Sequence, residues 1–118
     1  MGNFVPVEVL QNQVNGYFRI VIRGQVDASS AIILEKVIKD AYDAKRFRIL
    51  IDCSDLEYIS SAGLGVFISF LEDFREVDGN FVFCNMQKNV FDTFQILGLH
   101  QIMDILPSEN EAIAALYG

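Results

Sequence analysis

Along this chain the spacing of apolar residues shifts between a period of two and a period of about 3.6, and each shift marks a new element. Residues 5–10 and 17–23 read as strands, separated by a polar run that ends in Asn15-Gly16, a hairpin signal. The chain is therefore expected to open with an antiparallel pair. After Gly24, Leu34, Val37, Ile38 and Ala41 recur at helical spacing, while Glu35, Lys36, Lys39 and Asp40 face outward. Asp27 or Ser29 is placed to cap this helix, which should end near Lys45. Residues 47–52 form a short apolar run typical of a central, buried strand, with Asp52 expected at its carboxyl end.

The spacing then predicts a helix over 61–77, with Leu64, Phe67, Ile68, Leu71 and Phe74 as one apolar stripe. Val66 and Phe70 lie off that stripe, which leaves two readings open: a helix buried over a wide face, or two members of a docking surface. Asp78-Gly79-Asn80 breaks the pattern before a second buried strand at 81–84, and the strand-helix-strand unit predicts a parallel crossover. A third helix over 88–97 turns Val90, Phe94 and Leu97 inward and stops at Gly98, a left-handed cap with Leu99 as its hydrophobic contact. Residues 102–106 supply a short edge strand. Ser108 and Glu111 then form a capping box for a terminal helix that buries Ile113 and Leu116. The predicted fold class is α/β, a mixed sheet of about four to five strands covered by about four helices.

Composition narrows the function. The 118 residues suit one domain, 1–118. No apolar run approaches the roughly 20 residues of a membrane helix, and no basic N-terminal region precedes an apolar one, so a soluble cytoplasmic protein without membrane insertion is expected. A net charge of −7 with nine Lys and Arg argues against nucleic acid and anionic headgroups as partners. With 52% hydrophobic residues the chain holds more apolar side chains than a small core hides, and some are expected on a partner surface, although a monomer is the default for the free protein. Cys53 and Cys84 sit in or beside apolar runs and read as buried thiols. His100 has no neighbouring Cys, His or paired carboxylates, so no metal or cofactor is expected.

The chemistry concentrates in Tyr58-Ile59-Ser60-Ser61-Ala62-Gly63-Leu64-Gly65, which places two hydroxyls where a strand gives way to a helix. The first turn of a helix offers unpaired N–H groups and the positive end of the macrodipole, so a phosphate added there would spare the fold. Gly63 and Gly65 each cost about 1 kcal/mol relative to Ala inside a helix, and ask for a reason: close approach of a backbone or phosphate, or tight packing of helix on sheet. A serine nucleophile is a poor reading of Ser61. The hydrolase elbow wants Gly two residues before the serine, where this chain has Ile59, and His100 has no evident orienting acid.

Asp52-x-x-Asp55-Leu56-x-Tyr58-Ile59-Ser60-Ser61-Ala62-Gly63-Leu64-Gly65 resembles the signature of STAS domains, in particular the stand-alone bacterial anti-sigma factor antagonists. Gly24-x-Val26-Asp27, Gly79-Asn80-x-Val82-Phe83-Cys84 and Phe94-x-x-Leu97-Gly98-Leu99 extend the resemblance over nearly the whole chain. It implies a phosphorylation switch at Ser61, with Ser60 the adjacent alternative, since Ser60 stands where that family usually has Asp. It also implies two partners: an anti-sigma factor that is a serine kinase using ATP, sequestered by the unphosphorylated antagonist so that the sigma factor is freed, and a metal-dependent serine phosphatase that restores the binding form. Asp27, Asp52 and Asp55 are expected to add negative potential around the switch, and Ala62, Gly63, Leu64, Gly65, Val66 and Phe70 to surround it. For Asp27 and Asp52 a plain role as helix cap and strand-end residue stands beside positioning of Ser61. Asn85 and Gln87 are expected on the same rim. The alternative function is a phosphorylation-independent STAS accessory subunit of a transporter or lipid-handling complex.

Overall fold

The computed structural model describes residues 7–12 and 16–117. Its five strands are β1 (Val7–Asn12), β2 (Tyr17–Val26), β3 (Arg48–Ile59), β4 (Asn80–Cys84) and β5 (Asp104–Leu106). Four helices accompany them: α1 (Ala28–Asp43), α2 (Ser61–Glu76), α3 (Lys88–Ile96) and α4 (Glu109–Tyr117), with one short 3-10 turn at Leu99–Gln101.

The strands lie in the order β1-β2-β3-β4-β5. The first pair is antiparallel and the rest are parallel, which is the mixed sheet expected. The three parallel crossovers all step in the same direction across the sheet, so a constant handedness puts α1, α2 and α3 on one face. Strand alternation matches that arrangement. Phe18, Ile20, Ile22, Ile49, Ile51, Phe81 and Phe83 pack beneath these three helices, while Leu50, Val82 and Cys84 face α4 through Ala112 and Leu116.

Several expectations need correction. The first strand spans Val7–Asn12, two residues later than 5–10, and residues 5–6 and 13–15 of the predicted hairpin lie outside the described residues. Asp52 does not end its strand. The strand runs on to Ile59 because β2 continues beside it to Val26, absorbing two register shifts with Gly24 at φ +77°. Asp52 instead pairs with Cys84, the last residue of β4, and so marks where β3 outruns that neighbour.

On α2 the buried face centres on Phe67 and Phe74, and Val66 packs into the same core at 8% exposure. Ile68, about 100° further round the helix from Phe67, is 46% exposed, contrary to its place on the predicted stripe. Val66 thus belongs to the wide buried face. Phe70 is half-buried, edge-to-face with Phe74. Leu97 is exposed because α3 stops one residue earlier, and Leu99, after the left-handed Gly98 at φ 74°, takes the buried position. At the last helix Ser108 and Glu111 do engage, the Glu111 N–H donating to Ser108 Oγ at 3.3 Å, but the Glu111 carboxylate accepts from the Ser108 hydroxyl at 2.9 Å and forms only half of the expected capping box. There Leu116 is buried and Ile113 partly so.

Candidate functional site

β2 and β3 end together. Val26 pairs with Ile59, and the Ser60 N–H donates to the Val26 carbonyl at 2.8 Å. Each strand then turns at once into a helix, Asp27 capping α1 and Ser60 capping α2. Two helix amino termini are thereby held side by side at the carboxyl ends of parallel strands, where open α/β sheets gather ligands and partners.

The two caps are chemically different. The Asp27 carboxylate accepts from the Ser30 N–H at 3.0 Å and the Ser29 hydroxyl at 2.9 Å, and Ser30 Oγ accepts from the Asp27 N–H, completing a capping box. The Ser30 N–H first, and then the Ser29 and Ser30 hydroxyls, hold this carboxyl below its ordinary range. α2 has a neutral cap instead: Ser60 Oγ accepts from the Gly63 N–H at 3.3 Å, and the first turn of α2 carries no acidic residue. Its positive end is uncompensated from within the helix.

Ser60 is half-buried and occupied by capping, whereas Ser61 is the first helical residue and is exposed. Ala62 and Gly65 are exposed as well, and Gly63 and Leu64 are buried. The two glycines have different reasons. A Cβ on Gly63 would stand 2.7 Å from Ile59 Cγ1 and 2.9 Å from Val26 Cγ1, so Gly63 lets the start of α2 settle on the strand ends. A Cβ on Gly65 would meet nothing within 4 Å.

Of the three carboxylates expected around Ser61, the structure brings only Asp27 to it. Asp52 lies seven residues before Ile59, about 20 Å at roughly 3.3 Å per residue, and faces the opposite side of the sheet. There it bonds Arg19 at 2.6 Å, and Arg19 reaches Glu109 of α4 at 3.1 Å. The other Asp52 oxygen accepts from the N–H and hydroxyl of Ser54. Asp52 is a structural ion-pair residue beneath α4, neither a strand-end cap nor a neighbour of Ser61. Asp55, also mid-strand, is exposed and pairs with Arg23 at 3.5 Å.

Beyond Cys84 the free edge of β3 is taken up by α3. The Gln87 side-chain amide donates to the Ser54 carbonyl at 3.0 Å and that of Asn89 to the Glu57 carbonyl at 2.8 Å. Gln87 thus does reach the β3 extension, while Asn85 sits in the left-handed region at φ 59° with its amide on Cys84 Sγ. Cys53 and Cys84 are free and buried, and burial raises both thiols, Cys84 to about 12. Among the described residues no three His, Cys, Asp or Glu side chains converge on a metal position. His100 lies edge-on to Phe91.

Sequence reasoning passed over Ile32 and Ile33, which are 67% and 43% exposed in the first two turns of α1, alongside α2. Their signal was legible: both fall off the Leu34-Val37-Ile38-Ala41 stripe, yet are apolar. With Ile68 in the second turn of α2 and Tyr58 at the end of β3, they give this end of the molecule an exposed apolar character.

Residues 9–112 match the STAS domain family. The chain is 31% identical over 102 residues to the anti-sigma-B factor antagonist of Bacillus subtilis, covering 86% of this chain and 90% of the relative. It is 27% identical over 108 residues to the anti-sigma-B factor antagonist of Listeria monocytogenes, covering 91% and 93%. Among solved structures it is similar to the anti-sigma factor antagonist SpoIIAA in its unphosphorylated form, with a TM-score of 0.79, 21% identity, and coverage of 95% and 96%. Among the described residues no helix is long and apolar enough to cross a membrane.

Proposed function

The chain belongs to the STAS domain family, and from that membership we propose that it is an anti-sigma factor antagonist, a binding module switched by phosphorylation of Ser61. The family supplies the antagonist role; the choice of Ser61 rests on the division of labour between the two serines. Ser60 holds the cap, so its hydroxyl cannot be esterified without disturbing the start of α2. Ser61 is exposed at the first helical position and has no structural duty to lose.

A phosphate on Ser61 adds about −1.5 to −2 charges to the end of the molecule that already carries Asp27, whose carboxyl is held below its ordinary range and is ionised at physiological pH. The helix dipole of α2 and its free N–H groups stabilise the phosphate from within the protein. The effect is therefore felt outside, at an apolar surface that includes Ile32, Ile33 and Ile68, where a partner presenting carboxylates or apolar groups is expelled.

The partner in this reading is an anti-sigma factor that is itself a serine kinase, bound by the unphosphorylated form so that its sigma factor is released. A metal-dependent serine phosphatase resets the switch. The protein contributes no catalytic group of its own. Intact mass and phosphopeptide mapping on protein from native cells, with and without serine phosphatase treatment, tests the reading. One phosphatase-sensitive phosphate on Ser61 is expected. A phosphate on Ser60 moves the site, and its absence under growth, starvation and stress removes the switch.

A further inference from the structure

The cations of this acidic protein are unevenly employed. Arg19, Arg23, Lys36, Lys39 and Lys88 each pair with a carboxylate, and Arg75 donates to the Ile102 carbonyl. The remaining Lys45, Arg46 and Arg48 have no carboxylate partner among the described residues, and all three line one cleft of about 400 Å³ at the amino ends of β2 and β3. Its walls include Tyr17, Phe18 and Phe47 and no acidic side chain. The α1 dipole accounts for positive charge at 45 and 46, just past its carboxyl end, but not for Arg48, which opens β3.

Both guanidinium groups are held in place. Arg46 stacks over the Phe18 ring and Arg48 over the Tyr117 ring, each at 4.9 Å, and Arg48 Nε donates to the Leu116 carbonyl at 3.3 Å. Their terminal Nη groups carry no bond within the protein among the described residues. Stacked guanidinium planes with unused donors are pre-organised for forked recognition of an oxyanion, and little side-chain entropy remains to be lost on binding. A carboxylate needs one such fork. Arg46 stacks on the α1–α3 face of the sheet and Arg48 on the α4 face, so the two guanidinium groups border the cleft from either side of the strand ends. With the Lys45 ammonium they suit a group with more than one negative charge.

We propose that the cleft framed by Lys45, Arg46 and Arg48 is a binding site for a phosphate-bearing small ligand. It lies at the opposite end of β3 from Ser61, on the order of 30 Å away at about 3.3 Å per strand residue, so it is a second site. Its existence does not depend on the Ser61 switch.

The test is an amide-resolved NMR titration of the intact protein with pyrophosphate, against chloride at matched ionic strength. Saturable shifts confined to Gly16 and 45–48 are expected, with affinity reduced about tenfold or more in Lys45→Gln and in Arg48→Gln and unchanged in Lys36→Gln. Lys45 is exposed and its side chain has no ion-pair partner among the described residues, so its variant keeps the test valid if loss of the Arg48 stack impairs folding. Cosedimentation with vesicles containing phosphatidic acid, lost in the same variants, would assign the phosphate to a lipid headgroup. Saturable pyrophosphate binding without cosedimentation would assign it to a free metabolite. Shifts that track ionic strength alike for both salts, or an affinity unaltered in Lys45→Gln and Arg48→Gln, overturn the proposal.

Discussion

Ser60 donates its amide to the carbonyl of Val26, and through that one bond the cap of α2 is fastened to the residue preceding the cap of α1. A change of charge at Ser61 therefore occurs on a braced platform. Ser61→Ala should leave the thermal midpoint unchanged and abolish phosphate uptake while retaining partner binding. Ser61→Glu should weaken binding to the anti-sigma factor by at least about tenfold, or 1.4 kcal/mol, in a calorimetric titration. Equal binding by both variants would remove the electrostatic mechanism.

The two signature glycines should separate on substitution. Gly63→Ala drives a methyl into Ile59 and Val26 and should cost about 1–3 kcal/mol by urea denaturation. Gly65→Ala enters open space and should stabilise the fold by up to about 1 kcal/mol. If Gly65→Ala also weakens partner binding, the partner's backbone approaches α2 at that point.

Asp52→Asn should destabilise the protein without touching the switch. It strips Arg19 of its shorter ion pair under α4, at a cost of about 2–3 kcal/mol, below the full penalty of a broken buried pair because Glu109 remains. The rate of Ser61 phosphorylation by the kinase should match that of the parent; a large drop would restore Asp52 to the site.

Because the folded protein lowers the pKa of Asp27 below its ordinary 3.8, the stability this carboxylate contributes is fully present above that value and fades as pH falls through the lower, folded one. The urea midpoint of Asp27→Asn should accordingly vary less between pH 4 and pH 2 than that of the parent. Identical acid limbs would mean that the cap is not formed in solution.

Neighbouring apolar residues on α2 should also part company. Val66→Lys buries a charge in the core and should prevent stable folding, whereas Ile68→Lys, at a half-exposed position, should fold and lose affinity for the partner. Circular dichroism melts and a pull-down on the same samples distinguish the two effects.

Periodicity made most elements legible because each helix and each parallel strand carries its own apolar code. The cap at Asp27, the left-handed Gly98 and the Ser108 cap were all readable for the same reason: they are local. What sequence missed depends on neighbours far along the chain. The extension of β3 past Asp52 exists because β2 runs beside it, and no strand alternation announces it, since its buried residues Cys53, Leu56 and Ile59 recur at every third position. Asp52 looked like part of the signature loop, yet its partner is Arg19, 33 residues earlier and on the other face. The phase of α2 was misjudged by the choice of Ile68 over Val66, since a helix packed between others buries a wider arc than a single stripe.

The side-chain amides of Gln87 and Asn89, seated on the carbonyls of Ser54 and Glu57, occupy hydrogen-bonding positions that a foreign strand would otherwise use. An uncovered strand edge is a template for aggregation. If partners dock at this end, as proposed above, it cannot be buried, and these two amides guard part of its backbone instead. Other proteins can dock on the side chains there, while the two covered carbonyls of the β3 extension are closed to a strand from another copy.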